Sequence, residues 1–215
     1  MRGIAPSKKR SMHFSQITRT VTALTLAACS AAEQPLNSER IESEFGSYGL
    51  EILSYENGLR RASLYSVHGS NKITRTYAIV HFDDVPKEIA GNEHAHILEG
   101  ASIGATFKAA GWTISKGTLY IGTVSPGDDV HAIAALMNLD EASGLAMHVY
   151  KLGLRKDSQH IDYATIIEVH HPDYMNPDRL QRLYGDSNKS KPDVQLLDHW
   201  RSLVLTAAHD THGHD

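Results

Sequence analysis

The chain has one cysteine, Cys29, in 215 residues. A lone thiol excludes an intramolecular disulfide and a thiolate cage around zinc. Aromatic residues make up only 7% of the sequence and tryptophan occurs twice, so Trp112 and Trp200 are expected in the core, where large rings contribute most. After Cys29 there is no uninterrupted apolar run of the roughly 20 residues that a membrane-spanning helix needs. Basic clusters are scarce as well. The formal net charge is -4, and without the first 28 residues, which carry five basic side chains and no acid, it would be -9 from 16 basic and 25 acidic residues. The remaining basic clusters are Arg60-Arg61 and Lys189-Ser190-Lys191, which argues against nucleic acid, because binding a phosphate backbone rests on a concentration of Lys and Arg that releases counterions. No Walker loop, Rossmann glycine pattern, EF-hand acid spacing or H-E-x-x-H is present, and no cofactor is expected.

What is present is an ordinary globular composition, 41% hydrophobic and 21% charged, enough for one buried core and one folded domain. Arg2, Lys8, Lys9, Arg10 and Arg19 precede Thr20 to Ala28, an uncharged and largely apolar segment, and Cys29 follows small residues. This is the order of a secretory signal: basic region, apolar region, small-residue cleavage site. Leu26-Ala27-Ala28-Cys29 resembles the lipobox of bacterial lipoproteins. The resemblance implies cleavage before Cys29, a diacylglycerol on its sulfur and a protein held to a bilayer by buried acyl chains. Ser30 in the following position implies, within that family, delivery to the outer membrane, facing the periplasm. The expected organisation is a signal peptide over 1–28, a lipidated tether over 29–38, one domain over 39–208 and a histidine-rich polar tail over 209–215.

Within the domain, Ser47 to Tyr55, Leu59 to His68 and Ile73 to Phe82 have strand-forming composition. Asn57-Gly58 between the first two is the strongest short hairpin signal, since both turn positions accept positive φ. Thr113 to Val124 is a fourth strand, and Leu145 to Arg155 and Ile161 to His170 form a further hairpin. In the last strand Ile161, Tyr163, Ile167 and Val169 alternate with Asp162, Ala164 and Glu168, which predicts one buried and one wet face. Helices are predicted from Asp128-Asp129 to Leu139, from Pro177 to Tyr184, and from Pro192 to Ala208. The order βββ-α-β-α-ββ-α-α gives an α+β domain, a mostly antiparallel sheet of about six strands packed by helices in two layers. Arg60 and Arg61 read as solvent-facing sheet charges.

The stretch Glu93 to Trp112 carries three competing signals. Gly100-Ala101-Ser102-Ile103-Gly104 resembles the nucleophile turn of the α/β-hydrolase family. That resemblance implies an esterase-like hydrolase with Ser102 as nucleophile, partnered by His170 or His199 and by Asp157 or Asp173. Against it, the preceding segment is polar and the earlier strands form an antiparallel meander. His94, His96 and Glu99 form a candidate metal set. His96-x-x-Glu99 is similar to the inverted zinc-protease motif H-x-x-E-H, with Gly100 in place of the second histidine. The third signal is a single helix over Asn92 to Gly111. Gly100 and Gly104 would each cost such a helix about 1 kcal/mol relative to alanine, so their expected role is a close seat against the sheet. We read the stretch as this packing helix. The function expected is that of a membrane-anchored envelope protein that binds a partner protein or a small ligand, with the hydrolase as the alternative.

Overall fold

The structure, a computed structural model, describes residues 35–83, 85–124, 131–139, 144–185 and 194–206. Cys29, the signal segment and the tail 209–215 lie outside the described residues.

The chain opens with helix α1 (Asn37–Phe45) and a meander of β1 (Gly49–Glu56), β2 (Leu59–His68) and β3 (Asn71–Phe82). Helices α2 (Lys87–Leu98) and α3 (Ile103–Ala109) lead to β4 (Thr113–Val124) and α4 (His131–Leu136). The hairpin β5 (Leu145–Lys156) and β6 (Gln159–His170) is followed by α5 (Pro177–Tyr184) and α6 (Val194–Thr206). The six strands form one antiparallel sheet in the order β1-β2-β3-β6-β5-β4, as the α+β class requires. Asn57 and Gly58 make the first hairpin turn with φ of 52° and 75°, the left-handed geometry that matches strand twist. The β5–β6 turn places Asp157 at φ 53°. Both edge strands are bulged, β1 between Ile52 and Ser54 and β4 between Thr118 and Tyr120.

Helix α1 has no counterpart in the expected order, and the tether gives way to ordered structure before residue 39. Its sequence has only Ile41 and Phe45 at helical spacing, too little for an amphipathic stripe. Local chemistry specifies it instead. The Leu36 amide donates to the Glu39 carboxylate at 2.9 Å, and Gly46 closes the helix at φ 75°. Helix α5 uses the same logic, with Pro177 in its first turn and the Asn176 side chain accepting from the Arg179 amide at 2.8 Å.

Helices cover both faces of the sheet, where two layers were expected. On one face Tyr77, Ile79, Met147, Val149, Ile167 and Val169 pack with Ile133 and Met137 near α4 and with Trp200 and Val204 of α6. On the other, Val80, Tyr150, Leu152 and Ile166 pack with Ala90 and Ile97 of α2 and Phe107 of α3. The far end of that second face is closed by α1 and α5 through Ile41, Tyr174, Met175 and Leu180. Of the wet face expected for β6 only Asp162 is exposed; Ala164 and Glu168 are as buried as Ile167 and Val169. Two helical layers put both sets of an alternating strand in the interior, and Glu168 is carried in with them.

Candidate functional site

The expected single helix over Asn92 to Gly111 is two helices. Gly100 lies in the turn between α2 and α3 at φ 111°, a conformation that a side chain strains, and this explains the glycine without any close packing. Gly104 sits in the first turn of α3, where an added Cβ would come within 3.0 Å of the Leu36 side chain. A close seat exists at Gly104, but against the residue that leads into α1 and not against the sheet. Gly111, at φ 81°, ends α3.

The two-helix arrangement also decides where the candidate catalytic and metal residues go. Ser102 occupies the N-cap position of α3 and follows a helix-to-helix turn, so the strand-to-helix elbow that a hydrolase nucleophile needs is not formed. Ser102 and Tyr48 both line the cavity described below. His170 is bound instead to Thr76, its Nδ1 at 3.0 Å from the threonine oxygen, and Asp157 is in the β5–β6 turn. His94 pairs through Nδ1 with the Tyr163 hydroxyl at 2.8 Å, its ring edge-on to Phe82 and Tyr163. Burial holds the His94 imidazole below its ordinary range. His96 and Glu99 are exposed, and among the described residues no group of three metal-ligating side chains assembles.

Concave spaces lie in two places, one of about 380 Å³ beside Asp83, Lys87 and His94, the other on the face of the sheet roofed by α1 and α3. A partly open cavity of about 90 Å³ has a floor formed by β1, β2, β3, β6, β5 and β4. Leu50, Ala62, Ala78, Val80, Leu152 and Ile166 give it apolar walls, Asn37, Ser102 and Gly104 belong to its roof, and three charged side chains, Arg60, Lys116 and Glu168, line it. The register accounts for the shared floor: Ala62 pairs with Ala78, Ala78 with Glu168 and Val80 with Ile166, so alternate residues of neighbouring strands point the same way.

Glu168 is the centre of a buried polar network. One carboxylate oxygen accepts from the Tyr150 hydroxyl at 3.0 Å and from Asn37 Nδ2 at 3.2 Å. The other lies 3.8 Å from Lys116 Nζ and 3.8 Å from His170 Nε2. Asn37 is fixed in turn by the Tyr174 hydroxyl, which donates to its Oδ1, and it also donates to Thr76 at 3.3 Å. The Lys116 ammonium stands over the Tyr150 ring at 4.5 Å and the Tyr184 ring at 5.4 Å, a cation–π arrangement that confines it. His148 stacks on Tyr184 with ring centres 4.5 Å apart and meets Thr118 through Nε2 at 3.1 Å.

Burial alone would raise the Glu168 carboxyl. The Lys116 ammonium, with His170, His148 and the Tyr150 hydroxyl contributing less, outweighs burial and holds it below the ordinary carboxylate range. Burial also pushes His170 down to about 4, so its imidazole is neutral at pH 7, and Lys116 is the largest of the influences that lower the Glu168 carboxyl. Tyr150, also buried and beside that carboxylate, is pushed well up and keeps its proton. Glu168, His170 and Tyr150 thus each hold one protonation state through the neutral range. A general acid or base works best with a pKa near the working pH, which these three lack; what they supply is fixed charge and fixed donors.

Arg60 departs most from expectation. It is 3% exposed, not solvent-facing, and Arg61 is buried as well. Arg60 reaches from β2 to the end of α2, where it donates to the carbonyls of Ile97 at 3.2 Å and Ala101 at 2.9 Å. A cation at a helix C-terminus is favoured by the helix dipole. Burial lowers the guanidinium pKa from its usual value, though arginine stays charged in proteins. Neither Arg60 nor Glu168 stood out in the sequence. For Glu168 the one available signal is an ionisable residue among β-branched neighbours, Thr165, Ile166, Ile167 and Val169, and it becomes informative only once both sheet faces are known to be covered; β2 around Arg60 carries no such signal.

Comparison with protein-family models, with curated proteins and with solved structures gives no match for this chain.

Proposed function

We propose that the chain is a lipid-anchored protein of the bacterial cell envelope, held at the outer membrane on its periplasmic side, whose α+β domain binds a small ligand and does no covalent chemistry. The observation that carries the binding reading is the cavity of about 90 Å³, lined mainly by apolar side chains with Arg60, Lys116 and Glu168 among them. Such a combination is characteristic of ligand pockets, in which apolar walls supply affinity and a few placed polar groups supply orientation. The unvarying protonation of Glu168, Tyr150 and His170 favours binding over proton transfer. The anchor rests on Leu26-Ala27-Ala28-Cys29 behind a basic and then an apolar segment. Among the described residues no helix is long and apolar enough to cross a membrane.

Two experiments test the two halves. Hexanol at millimolar concentration is expected to shift the backbone amide resonances of Ala62, Ala78 and Ile166, and in Ala78→Leu, where the side chain fills the space, those shifts should vanish while the spectrum stays folded. No response in the wild-type protein, or an equal response in Ala78→Leu, would remove the cavity as the binding site. For the anchor, Cys29→Ser expressed in a bacterial host should lose incorporation of labelled fatty acid and accumulate as the longer precursor. Normal labelling and processing in that variant would refute the anchor while leaving the cavity reading intact.

A further inference from the structure

Charge on the cavity lining does not balance. Two cations, Arg60 and Lys116, and one carboxylate, Glu168, line it. The carboxylate is committed to Lys116 at 3.8 Å and to the Tyr150 and Asn37 donors. Among the described residues no carboxylate forms an ion pair with Arg60. Its two terminal nitrogens donate to backbone carbonyls, which carry only partial charge, and its buried Nε has no hydrogen-bond partner. Buried guanidinium groups are ordinarily matched by a carboxylate or phosphate in fork geometry. Tyr48 and Ser102 also line the cavity and add neutral hydroxyl groups to the same lining as the cation.

Building on the cavity reading, we propose that the ligand is an anion with an apolar body, a carboxylate on a short aliphatic chain, whose head group neutralises Arg60 and whose chain lies against Leu50, Val80 and Ile166. A cationic ligand would face the surplus positive charge and would have to displace Lys116 from Glu168. A neutral one would leave Arg60 without an anion. Size points the same way: an apolar cavity of about 150 Å³ is enough for benzene, so a smaller, partly open one suits a chain of a few carbons whose far end can reach the mouth. A bulky anion such as a nucleotide does not fit between the α1–α3 roof and the sheet.

The test is a charge series of constant chain length, hexanoate, hexanol and hexylamine, titrated into the full folded domain at pH 7 and followed by amide resonance shifts. Hexanoate should bind about 10- to 100-fold more tightly than hexanol, the span of one charge-assisted hydrogen bond, and hexylamine should bind weakest. In Arg60→Met the hexanoate preference should fall to less than about threefold while hexanol still binds, and Arg60→Lys, which keeps the charge but not the fork, should retain part of it. If Arg60→Met does not fold, the wild-type series decides alone. Hexanol or hexylamine binding as tightly as hexanoate would overturn the anionic ligand and leave the cavity reading standing. No shift at cavity residues with any of the three would overturn both.

Discussion

Lys116→Met is expected to lower folding stability at pH 7 by about 3–5 kcal/mol, read from urea denaturation, because removing one member of a buried ion pair strands the other. Both partners are well buried, with 16% of the Lys116 side chain and 7% of the Glu168 side chain exposed, so solvent screening relieves little of the loss. The pH dependence should reverse with the substitution. In the wild-type protein the Glu168 pKa lies below its unfolded value of 4.5. Its contribution is therefore present above that value and disappears as pH falls through the folded-state pKa. Without Lys116 burial dominates and the folded-state pKa rises above 4.5, so the variant should lose stability as pH increases from that value, the opposite sign. Lys116→Met combined with Glu168→Leu should recover most of the loss, since a buried pair replaced by apolar groups of similar volume is often neutral. A loss below about 1 kcal/mol, or an unchanged pH profile, would show that the pair contributes no more than an exposed salt bridge.

Phe107→Ala should be of comparable size, about 3–5 kcal/mol, the usual cost of emptying a fully buried phenylalanine site. Phe107 has no exposed surface; its ring meets Tyr163 edge-on at 4.7 Å and Trp112 at 6.0 Å. It is the only side chain of α3 in the buried core. Because Ser102, Ile103 and Gly104 roof the cavity, loosening α3 should weaken hexanol binding and speed hydrogen exchange in α3 more than in β3 or β6. A variant that loses stability uniformly, with binding and local exchange unaltered, would separate the roof from the cavity.

Local chemistry made the sheet readable in advance. Asn57-Gly58 defined the first hairpin, and the strands Leu59–His68 and Thr113–Val124 and the helix Pro177–Tyr184 occupy the residues their composition indicated. What stayed hidden depended on who packs against whom. Helix α1 is hidden because its local caps at Glu39 and Gly46 come without an amphipathic stripe, and the rest of its anchoring is Asn37 meeting Tyr174 and Glu168, partners 131 or more residues away. The stretch around Gly100 reads as one helix in the sequence because a glycine that breaks a helix through its φ and a glycine that lets a helix approach a neighbour look alike there. The polar network was missed for a related reason. An ionisable residue in an alternating strand normally marks a wet face, and nothing local reports that α1 and α3 cover the face carrying Arg60, Lys116 and Glu168.

The bulges in β1 and β4 bear on encounters between molecules. These two strands are the rims of the sheet, and an unbroken rim offers a second chain a row of free backbone donors and acceptors on which to grow. At Ile52/Ser54 on one rim and Thr118/Tyr120 on the other the register jumps, so an incoming strand that pairs on one side of the jump is out of step on the other. A sheet finished in this way resists extension by its own copies, and a crowded population of the protein can remain separate molecules.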